Sequence, residues 1–478
     1  MKDVHIGSAK LLTWLNHLLV FTSIFFLFLY PVLDADLGWH LRYGDYFWQH
    51  GQILKANTFS FQMPNFIWAN HSWGFDIISS LLFKLGSFQL LSIIGSLLIA
   101  GSLYLCYLTL AKKELAALMV LIFWAFNAPL LNLGYKSKLV SLFFTCLLWF
   151  FLKNYQANFK KIYLYLIPPL FLLWTNIHGE FAIGFLILAV FLLPLLYQDK
   201  IKKKQSKLII ATIALSGAVT FLNPYFYQLH LTAIAHLSSP SFSQIYEWQP
   251  LPLSTPLMIA FLSYSFLFWL TAKKSQKTYI GEFLVLAIIN LMALKARRFI
   301  PLFLLLSLPH FINCLSLSIS KAYVKLINIG LLLTITIYAL LFHLPKQNIL
   351  AQNWASYCNT EVLCSEGLIS FLQENKIKGK IFNAYRLGGY LEYRYPQVPM
   401  YIDGRMTVWR DQNGQEPFSD YAKMVYTQPG WRELFMAQDF DFAILNKPYP
   451  LTKMLVEQEY WLIMYEDEKL VVLKNPKT

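Results

Sequence analysis

Long apolar runs separated by short polar segments dominate the first 344 residues of the chain. An α-helix needs about 20 apolar residues to cross the hydrocarbon core of a bilayer, and most of these runs approach that length. Residues 75–85 are also apolar, but they carry Asp76 and Lys84 and favour an interfacial helix over a span. The pattern predicts about eleven transmembrane helices, at residues 11–33, 88–111, 115–134, 139–152, 162–176, 180–197, 208–222, 256–272, 279–294, 299–318 and 322–344.

From residue 345 the apolar runs become shorter and alternate in character. Helical periodicity at 368–375, 431–438 and 451–460 is interleaved with strand-like runs at 380–383, 398–402, 442–445 and 470–473. This alternation is typical of a small α/β domain. We therefore predict a transmembrane domain at residues 1–344, with a first outer loop at 34–75, and an α/β domain at residues 345–478.

The composition agrees with a membrane protein of the α-helical, polytopic class. Hydrophobic residues make up 56% of the chain and charged residues only 14%, which is more apolar surface than a soluble core can bury. The net charge of +14 comes from short lysine clusters between apolar runs, and this distribution argues against nucleic-acid binding. By the positive-inside rule these clusters are cytoplasmic, so the amino terminus is cytoplasmic and residues 345–478 are extracytoplasmic. Cys358 and Cys364 can pair if that segment faces an oxidising compartment, and the sequence leaves both states open.

The first outer loop opens with a cluster of ionisable residues: Asp34, Asp36, His40 and Arg42. Such residues at the end of an apolar helix are costly to bury, so the cluster predicts a functional site. Asp34 and Asp36 can bind a divalent cation such as Mg or Mn, or one of them can act as a general base. Helix capping is the structural alternative for these aspartates. His40 either polarises a substrate phosphate or hydrogen-bonds a loop carbonyl.

The end of the same loop combines aromatic rings with polar groups. His71 and Trp73 suit sugar recognition, because a pyranose face stacks on a ring while its hydroxyl groups need hydrogen bonds. An aromatic belt at the headgroup level is the alternative for the tryptophan.

Several outer loops carry basic residues where the positive-inside rule does not expect them. These cations need a counter-charge, which the phosphate of a lipid carrier would supply, and arginine would bind it in bidentate fashion. Anionic headgroups in general are the other explanation. Outer-loop histidine and carboxylate side chains can complete this polar site or only hydrogen-bond locally, and we expect the loops to converge on one face. The substrate-binding candidates of these loops are Lys136, His178, Glu180, Glu247, Arg297 and Arg298.

Together these segments resemble the outer loops of a bacterial family of multi-pass proteins. That family is related to the GT-C fold glycosyltransferases, which include the dolichyl-phosphate-mannose protein mannosyltransferases. The resemblance lies in Asp34-x-Asp36-x-x-Trp39-His40-Leu41-Arg42-x-Gly44, Asn70-His71-x-Trp73, Trp174-x-Asn176-x-His178-Gly179, Glu247-Trp248, Arg297-Arg298-Phe299-Ile300-Pro301 and Ile402-Asp403-Gly404-Arg405.

The resemblance implies a GT-C-like helical bundle in the bacterial plasma (inner) membrane. It also implies an enzyme that moves a sugar from a polyprenyl-phosphate carrier to an extracytoplasmic acceptor, a glycan, lipid or protein of the cell envelope. The reaction centre maps onto Asp34 or Asp36, and some members of the family use a divalent metal.

Two other classes of protein remain open from the sequence. A transporter or flippase of lipid-linked sugars would need polar residues near the middle of the membrane, whereas the unusual charges of this chain cluster near one face. A non-catalytic envelope assembly protein would keep the outer domain without needing the two aspartates.

Overall fold

The structure is a computed structural model, and it describes residues 2–131, 134–198, 202–238, 245–274, 279–315, 320–359, 362–411, 414 and 416–478. Most of these residues are helical. The α-helices are, in chain order, α1 Lys2–Leu27, α2 Leu37–His50, α3 Trp73–Leu108, α4 Ala116–Leu131, α5 Ser137–Asn158, α6 Ile162–Tyr165, α7 Ile167–Ile177, α8 Phe181–Leu192, α9 Lys203–Val219, α10 Gln228–Ser238, α11 Pro256–Lys274, α12 Ile280–Lys295, α13 Ile300–Cys314, α14 Lys321–Tyr338, α15 Leu344–Gln347, α16 Trp354–Cys358, α17 Glu366–Glu374, α18 Gly388–Arg394, α19 Pro417–Val425, α20 Trp431–Met436 and α21 Pro450–Glu457. The strands are β1 Ile381–Asn383, β2 Phe442–Asn446, β3 Leu462–Glu466 and β4 Leu470–Lys474.

Every predicted apolar run contains a helix, but not every helix has the length of a membrane span. Among the described residues, four helices are long and apolar enough to cross a membrane: Trp73–Leu108, Ser137–Asn158, Pro256–Lys273 and Lys321–Ala351. Shorter apolar helices occur at Leu11–Leu27, Ile162–Ile177 and Phe181–Tyr197. The number of eleven crossings therefore stays a prediction.

The structure shortens one predicted helix and joins two others across a kink. The first helix ends at Leu27, not at residue 33, because Pro31 follows within one turn and proline disfavours helical geometry in the residue before it. Helix α3 has non-helical backbone angles at Gly86 and Ser87, between the predicted segments 75–85 and 88–111. A Gly/Ser pair is a common cause of such kinks.

By their internal packing the residues group into two compact units. Unit 1 comprises Met1–Pro31, Ser92–Asn223 and Ser243–Ile349, and unit 2 comprises Val32–Leu91, Pro224–Phe242 and Leu350–Thr478. The first outer loop thus belongs to the same unit as the C-terminal residues. The division into a transmembrane domain at 1–344 and an extracytoplasmic domain at 345–478 describes topology and stays a prediction.

Unit 1 is a helical bundle whose mostly apolar interior also contains buried polar side chains. Helix α1 packs on α14, where the buried Asn16 accepts a hydrogen bond from Asn328 (2.6 Å) and donates one to Tyr107 (2.8 Å). Buried amides of this kind must find partners within the protein, because no water reaches them. These bonds fix the register of the helices.

Unit 2 contains a four-stranded sheet in the order β1-β2-β4-β3. Strands β1 and β2 are parallel, and the other neighbouring pairs are antiparallel. Strands β2 and β4 are buried, while β3 is an exposed edge strand. Helices thus accompany a mixed sheet, in agreement with the predicted α/β character of this segment.

The predicted strand at 398–402 is wrong. Only Met400 forms isolated bridges, to Ser60 and Ile381. The side chain of the buried Asn383 instead accepts hydrogen bonds from the backbone N–H groups of Tyr401 (2.8 Å) and Ile402 (3.2 Å), so these groups are not available to a neighbouring strand. The sequence pattern does not predict strand β3.

Within unit 2, helix α2 of the first loop packs closely against α18 of the C-terminal residues. A methyl group at Gly38 would overlap the backbone carbonyl of Gly389. The close approach of the two helices therefore requires glycine at this crossing. Nearby, Cys358 and Cys364 form a disulfide, with a Cα–Cα distance of 4.9 Å.

Candidate functional site

Asp34 and Asp36 lie in the non-helical segment that leads into α2. Asp36 occupies the N-cap position, but its side chain makes no capping hydrogen bond, so the capping explanation does not account for it. Asp34 is buried, and its Oδ1 accepts the backbone N–H of Asp36 at 3.3 Å. Its backbone carbonyl accepts the hydroxyl of Tyr357 at 2.5 Å. Asp36 is half-buried and is therefore the more accessible of the two carboxylates.

The C-terminal residues of unit 2 shape the environment of Asp36. A methyl group at Gly404 would overlap the Asp36 carboxylate and would approach the indole nitrogen of Trp39. Glycine at position 404 is thus what allows the carboxylate to occupy its place. The predicted reaction centre is consequently built from two segments of sequence that lie about 370 residues apart.

His40 forms a buried pair with Asp76, which sequence analysis did not select as a site residue. Its Nδ1 lies 2.5 Å from Oδ1 of Asp76, and Oδ2 of Asp76 accepts the side-chain amide of Asn70 at 2.6 Å. All three side chains are buried, with Asn70 and Asp76 completely so. Nε2 of His40 has no hydrogen-bond partner among the described residues. This arrangement contradicts the alternative that His40 merely bonds a loop carbonyl.

The pKa of His40 is raised above its ordinary value of 6.5. Burial alone would lower it, because burial disfavours the charged imidazolium. The carboxylate of Asp76 outweighs that effect through its charge and its hydrogen bond, and the charges of Asp34 and Asp36 add to it. His40 therefore keeps its positive charge to a higher pH than a free histidine.

The other candidates of the first loop are less closely associated with the aspartates. Arg42 donates to the backbone carbonyl of Pro396 (3.1 Å), and its guanidinium lies 4.2 Å from the centre of the Phe59 ring. The ring of His71 contacts that of His236, with 4.7 Å between centroids. Trp73 is the first residue of α3. Sugar binding by these residues stays a prediction.

Unit 1 contains a second polar cluster, centred on Arg298 and here termed the Arg298 cluster: Lys136, Lys138, Glu180, Glu247 and Arg298. The guanidinium of Arg298 binds Glu180 at 2.5 Å and Glu247 at 3.1 Å. It also lies 4.1 Å from the centre of the Trp248 ring. Lys136 lies 3.9 Å from Glu247. The protein therefore supplies counter-charges of its own for two of the cations that the positive-inside rule does not explain.

Both carboxylates of the Arg298 cluster stay ionised. Burial alone would raise the pKa of Glu180, but Arg298, His178 and Lys138 outweigh it, and the pKa is lowered. Burial opposes the charge of Glu247 in the same way, and Lys136, Arg298 and Lys138 hold its pKa far below the usual range. Three cations thus face two carboxylates, which leaves the cluster with one excess positive charge.

Lys138 carries that excess charge. It is buried, with 9% of its surface exposed, and no described residue forms an ion pair or hydrogen bond with its ammonium group. It lines a small pocket together with Ser141, Thr145, Glu180 and Arg298. A buried ammonium that forms no ion pair is costly. The neighbouring hydroxyl groups are already engaged, since Thr145 donates to the backbone carbonyl of Ser141 at 2.8 Å and the Ser141 hydroxyl accepts from Trp174 at 2.9 Å. The pocket has a volume of only about 10 Å³, about the room of one water molecule, so the charge of Lys138, and not the size of the pocket, makes it a candidate anion site.

The remaining candidates of unit 1 have structural partners. Arg297 donates to the backbone carbonyls of Gln249 (3.2 Å) and Pro250 (2.8 Å) and lies 3.6 Å from the centre of the Tyr246 ring. His178 lies 2.7 Å from the hydroxyl of Ser141 and 3.9 Å from Glu180. Arg297 thus holds the segment that carries Glu247 in place. The predicted convergence of all these loops on one face stays a prediction.

Within the described parts of the chain, the two aspartates gain no third His, Cys, Asp or Glu side chain as a metal ligand. No group of three or more His, Cys, Asp or Glu side chains that could hold a metal ion occurs in the part of the chain that the structure describes. Asp34 and Asp36 thus offer two carboxylates without a third protein ligand of this kind. The requirement for a divalent cation stays a prediction.

Comparison with known proteins supports the fold. No family model and no curated protein matches the sequence. Among solved structures, the chain is similar to the crystal structure of ArnT from Cupriavidus metallidurans bound to undecaprenyl phosphate, with a TM-score of 0.53 and 12% identity. The match covers 98% of this chain and 98% of that chain. The protein therefore has an ArnT-like fold, mostly helical with a small C-terminal sheet, which supports the predicted GT-C-like architecture.

Proposed function

We propose that the protein is a membrane glycosyltransferase that transfers a sugar from a polyprenyl-phosphate carrier to an extracytoplasmic acceptor. The observation that carries this proposal is the likeness in fold, over 98% of both chains, to ArnT bound to undecaprenyl phosphate. A fold alone does not define an activity. The chemistry of the two polar clusters supplies the further support.

In this proposal the Arg298 cluster binds the phosphate of the carrier. Lys138 is the principal ligand, because its ammonium is buried and forms no ion pair with a described residue. Arg298 is already bound by Glu180 and Glu247, so it acts mainly by fixing the shape and the charge of the pocket. Cations placed where negative charge develops on a leaving phosphate lower the barrier to its departure.

Asp36 is proposed as the general base. The acceptor hydroxyl oxygen attacks the anomeric carbon and forms the new glycosidic bond, while the bond from that carbon to the phosphate oxygen breaks and its electron pair leaves with the phosphate. The hydroxyl proton passes to the Asp36 carboxylate. A single displacement of this kind inverts the anomeric configuration. Asp34 is a positioning residue, because its Oδ1 accepts the backbone N–H of Asp36.

The His40–Asp76 pair keeps an oriented, positively charged imidazole ring beside the two aspartates. Asp76 and Asn70 fix the orientation of the imidazole ring, and the raised pKa keeps a positive charge beside the two aspartates. That charge offsets part of the repulsion between the carboxylates. His40 is therefore proposed to hold the loop in a reactive arrangement instead of transferring a proton itself.

We place this activity on the extracytoplasmic face of a bacterial inner membrane, with the amino terminus in the cytoplasm. The lysine clusters between the apolar runs support this orientation. The Cys358–Cys364 disulfide supports an oxidising environment for unit 2.

The proposal is tested by reconstituting the full chain in proteoliposomes with a panel of undecaprenyl-phosphate sugars. The measurement is the release of undecaprenyl phosphate and the transfer of labelled sugar to a cell-envelope extract. We expect turnover with at least one donor. Asp36→Asn should lower the rate by about 10²-fold or more, because it removes the base.

The matched control is Asp439→Asn, an exposed aspartate of unit 2 whose backbone φ of +50° suits asparagine equally well. Turnover of this variant should equal that of the wild type. Transfer that survives in Asp36→Asn would overturn the proposed mechanism. The absence of turnover with every donor in the wild-type protein would overturn the proposed function.

A further inference from the structure

The tip of the first outer loop forms one wall of an open cavity in unit 2. The cavity has a volume of about 510 Å³ and is lined by Phe61, Gln62, Asn65, Phe66, Asp411 and Gln438, among others. Pockets that bind small molecules typically measure about 300–1,000 Å³. None of the residues proposed for the reaction or for binding the phosphate is among the described residues that line this cavity.

The loop tip is held in a conformation that it would not adopt freely. Met63 and Asn65 have positive backbone φ angles, of +47° and +61°. The buried side chain of Asn57 donates hydrogen bonds to the backbone carbonyls of Ser60 (3.2 Å) and Gln62 (2.6 Å). Non-glycine residues with positive φ persist where surrounding contacts enforce them, often at binding sites.

The wall of the cavity combines aromatic rings with carboxamide groups. Phe61 and Phe66 are half-buried, and each is supported from behind by a buried ring, Phe440 at 6.3 Å and Trp409 at 5.0 Å between centroids. Each phenyl ring is thus partly exposed at the cavity. Rings that are rigidly supported in this way can stack against the apolar face of a sugar.

The side-chain carboxamides of Gln62 and Gln438 supply polar groups in the wall of the cavity. Gln62 is buried, with 7% of its surface exposed, and donates from Nε2 to Oε1 of Gln438 at 3.1 Å. This bond fixes the orientation of both amides. The side-chain amide nitrogen of Gln438 has no partner among the described residues, so it is available to a ligand oxygen. Amides both donate and accept hydrogen bonds, as hydroxyl groups require.

The charge of the cavity selects among sugars. Asp411 is acidic, and none of the described lining residues is basic. A negative carboxylate repels phosphate and carboxylate ligands at close range and favours neutral or amino-substituted ones. The cavity therefore differs in chemistry from the pocket of Lys138.

We infer that this cavity binds a neutral glycan that serves as the acceptor of the proposed transferase. The supported phenyl rings, the paired carboxamides and the acidic side chain of Asp411 are the features of a site for an uncharged saccharide. The acceptor role rests on the proposed function, whereas the binding of glycan does not.

The test uses the full chain in lipid nanodiscs without any donor lipid. An array of neutral, acidic and phosphorylated oligosaccharides identifies ligands, and saturation-transfer NMR titrations measure their affinities. We expect neutral oligosaccharides to bind. Gln438→Ala and Asn65→Gly should each weaken binding by about tenfold, the cost of about one strong hydrogen bond. Glycine is chosen at position 65 because it tolerates positive φ.

The matched control is Gln458→Ala, an exposed glutamine of unit 2 outside the cavity, which should bind like the wild type. Equal binding by wild type and both cavity variants, or binding of acidic sugars alone, would overturn the inference. Transfer to a glycan that does not bind here would overturn the acceptor role and leave the proposed function intact. Binding of glycan without turnover on any donor would overturn the acceptor role together with the proposed function.

Discussion

Each unit contains one arginine bound by two carboxylates, yet the two clusters differ in what they can do. In unit 2, Arg405 binds Asp403 at 2.6 Å and Glu392 at 3.1 Å, and at most 1% of any of the three side chains is exposed. We call this group the Arg405 triad. In the Arg298 cluster of unit 1, the side chains of Arg298, Glu180 and Glu247 are 9%, 18% and 32% exposed. The Arg405 triad is therefore closed to solvent, whereas the Arg298 cluster borders a pocket.

The charge states follow from this difference in burial. In the Arg405 triad, burial raises the pKa of Glu392 well above its usual range, while Arg405 holds the pKa of Asp403 below its own. One neutral and one ionised carboxyl group then balance one guanidinium. In the Arg298 cluster both pKa values are lowered, and Lys138 adds a positive charge that no described residue binds. An arginine with two carboxyl groups therefore forms a structural group in one unit and part of a candidate anion site in the other.

The largest expected effect is a loss of stability when the cation of the Arg405 triad is removed. Arg405→Met leaves two buried carboxyl groups without their cation, and removing one partner of a buried ion pair costs about 3–5 kcal/mol. We expect a strongly lowered melting temperature of the purified protein in detergent. Arg410→Met is the control, because Arg410 is exposed and pairs with Glu416 at the surface, where ion pairs contribute about 0–1 kcal/mol. Similar melting temperatures for the two variants would contradict a structural role for the triad.

A second variant tests the pocket of the Arg298 cluster. Lys138→Met keeps the apolar stem but removes the ammonium, and a hydrogen bond to a charged group is worth about 1.5–3 kcal/mol. The affinity for undecaprenyl phosphate, measured by native mass spectrometry, should fall by about 10- to 150-fold. Lys295→Met, at an exposed lysine of the same unit, should bind like the wild type. Unchanged affinity in Lys138→Met would exclude Lys138 as a phosphate ligand.

The third prediction concerns the pH dependence of transfer. The folded protein holds the pKa of His40 above 6.5, so the imidazolium is present at lower pH and is lost as the pH rises through the raised pKa. The transfer rate should therefore decline on the alkaline side. His40→Gln should remove this decline and lower the rate by about tenfold, which corresponds to about 1.4 kcal/mol.

The control for this profile is His50→Gln, an exposed histidine of the same helix. It should keep both the rate and the alkaline decline of the wild-type enzyme. An alkaline decline that persists in His40→Gln would show that another group titrates.

The smallest expected effect is the loss of stability that the Arg298 cluster causes at low pH. The lowered pKa of Glu247 contributes stability that is present above its ordinary pKa of 4.5 and is lost as the pH falls. Because the side chain is partly exposed, we expect a contribution of about 1 kcal/mol or less. The difference in melting temperature between pH 6 and pH 4 should be smaller in Glu247→Gln than in the wild type. An equal difference would contradict the ion pairing of Glu247.

The sequence predicts the helices of the long apolar runs because each of them depends on a local pattern, but it does not predict the helices α2, α10, α16, α18 and α19. The strands were harder to predict. The run at 398–402 has the composition of a strand, but Asn383 takes its hydrogen-bonding groups. Strand β3 is an edge strand whose Leu462 and Ile463 are exposed, so its apolar residues do not show the alternation that marks a half-buried strand.

The sequence also predicts only part of the candidate site. Asp34, Asp36 and His40 are close in sequence, and their cluster is visible there. Asp76 lies 36 residues from His40, and Gly404 is farther still, so only the folded chain brings them to the loop. Lys136 and Lys138 are two residues apart, yet only the former lies within 4.0 Å of a carboxylate of a described residue. Sequence alone gives no reason to prefer the latter as the anion ligand.

The most direct test of the central claim compares two lipids that differ only in the phosphate. The full chain in nanodiscs is titrated with undecaprenyl phosphate and with undecaprenol, and bound lipid is counted by native mass spectrometry. Recognition of the phosphate by the Arg298 cluster predicts at least about tenfold tighter binding of undecaprenyl phosphate, equivalent to about 1.4 kcal/mol. Equal affinity for the two lipids would contradict the account.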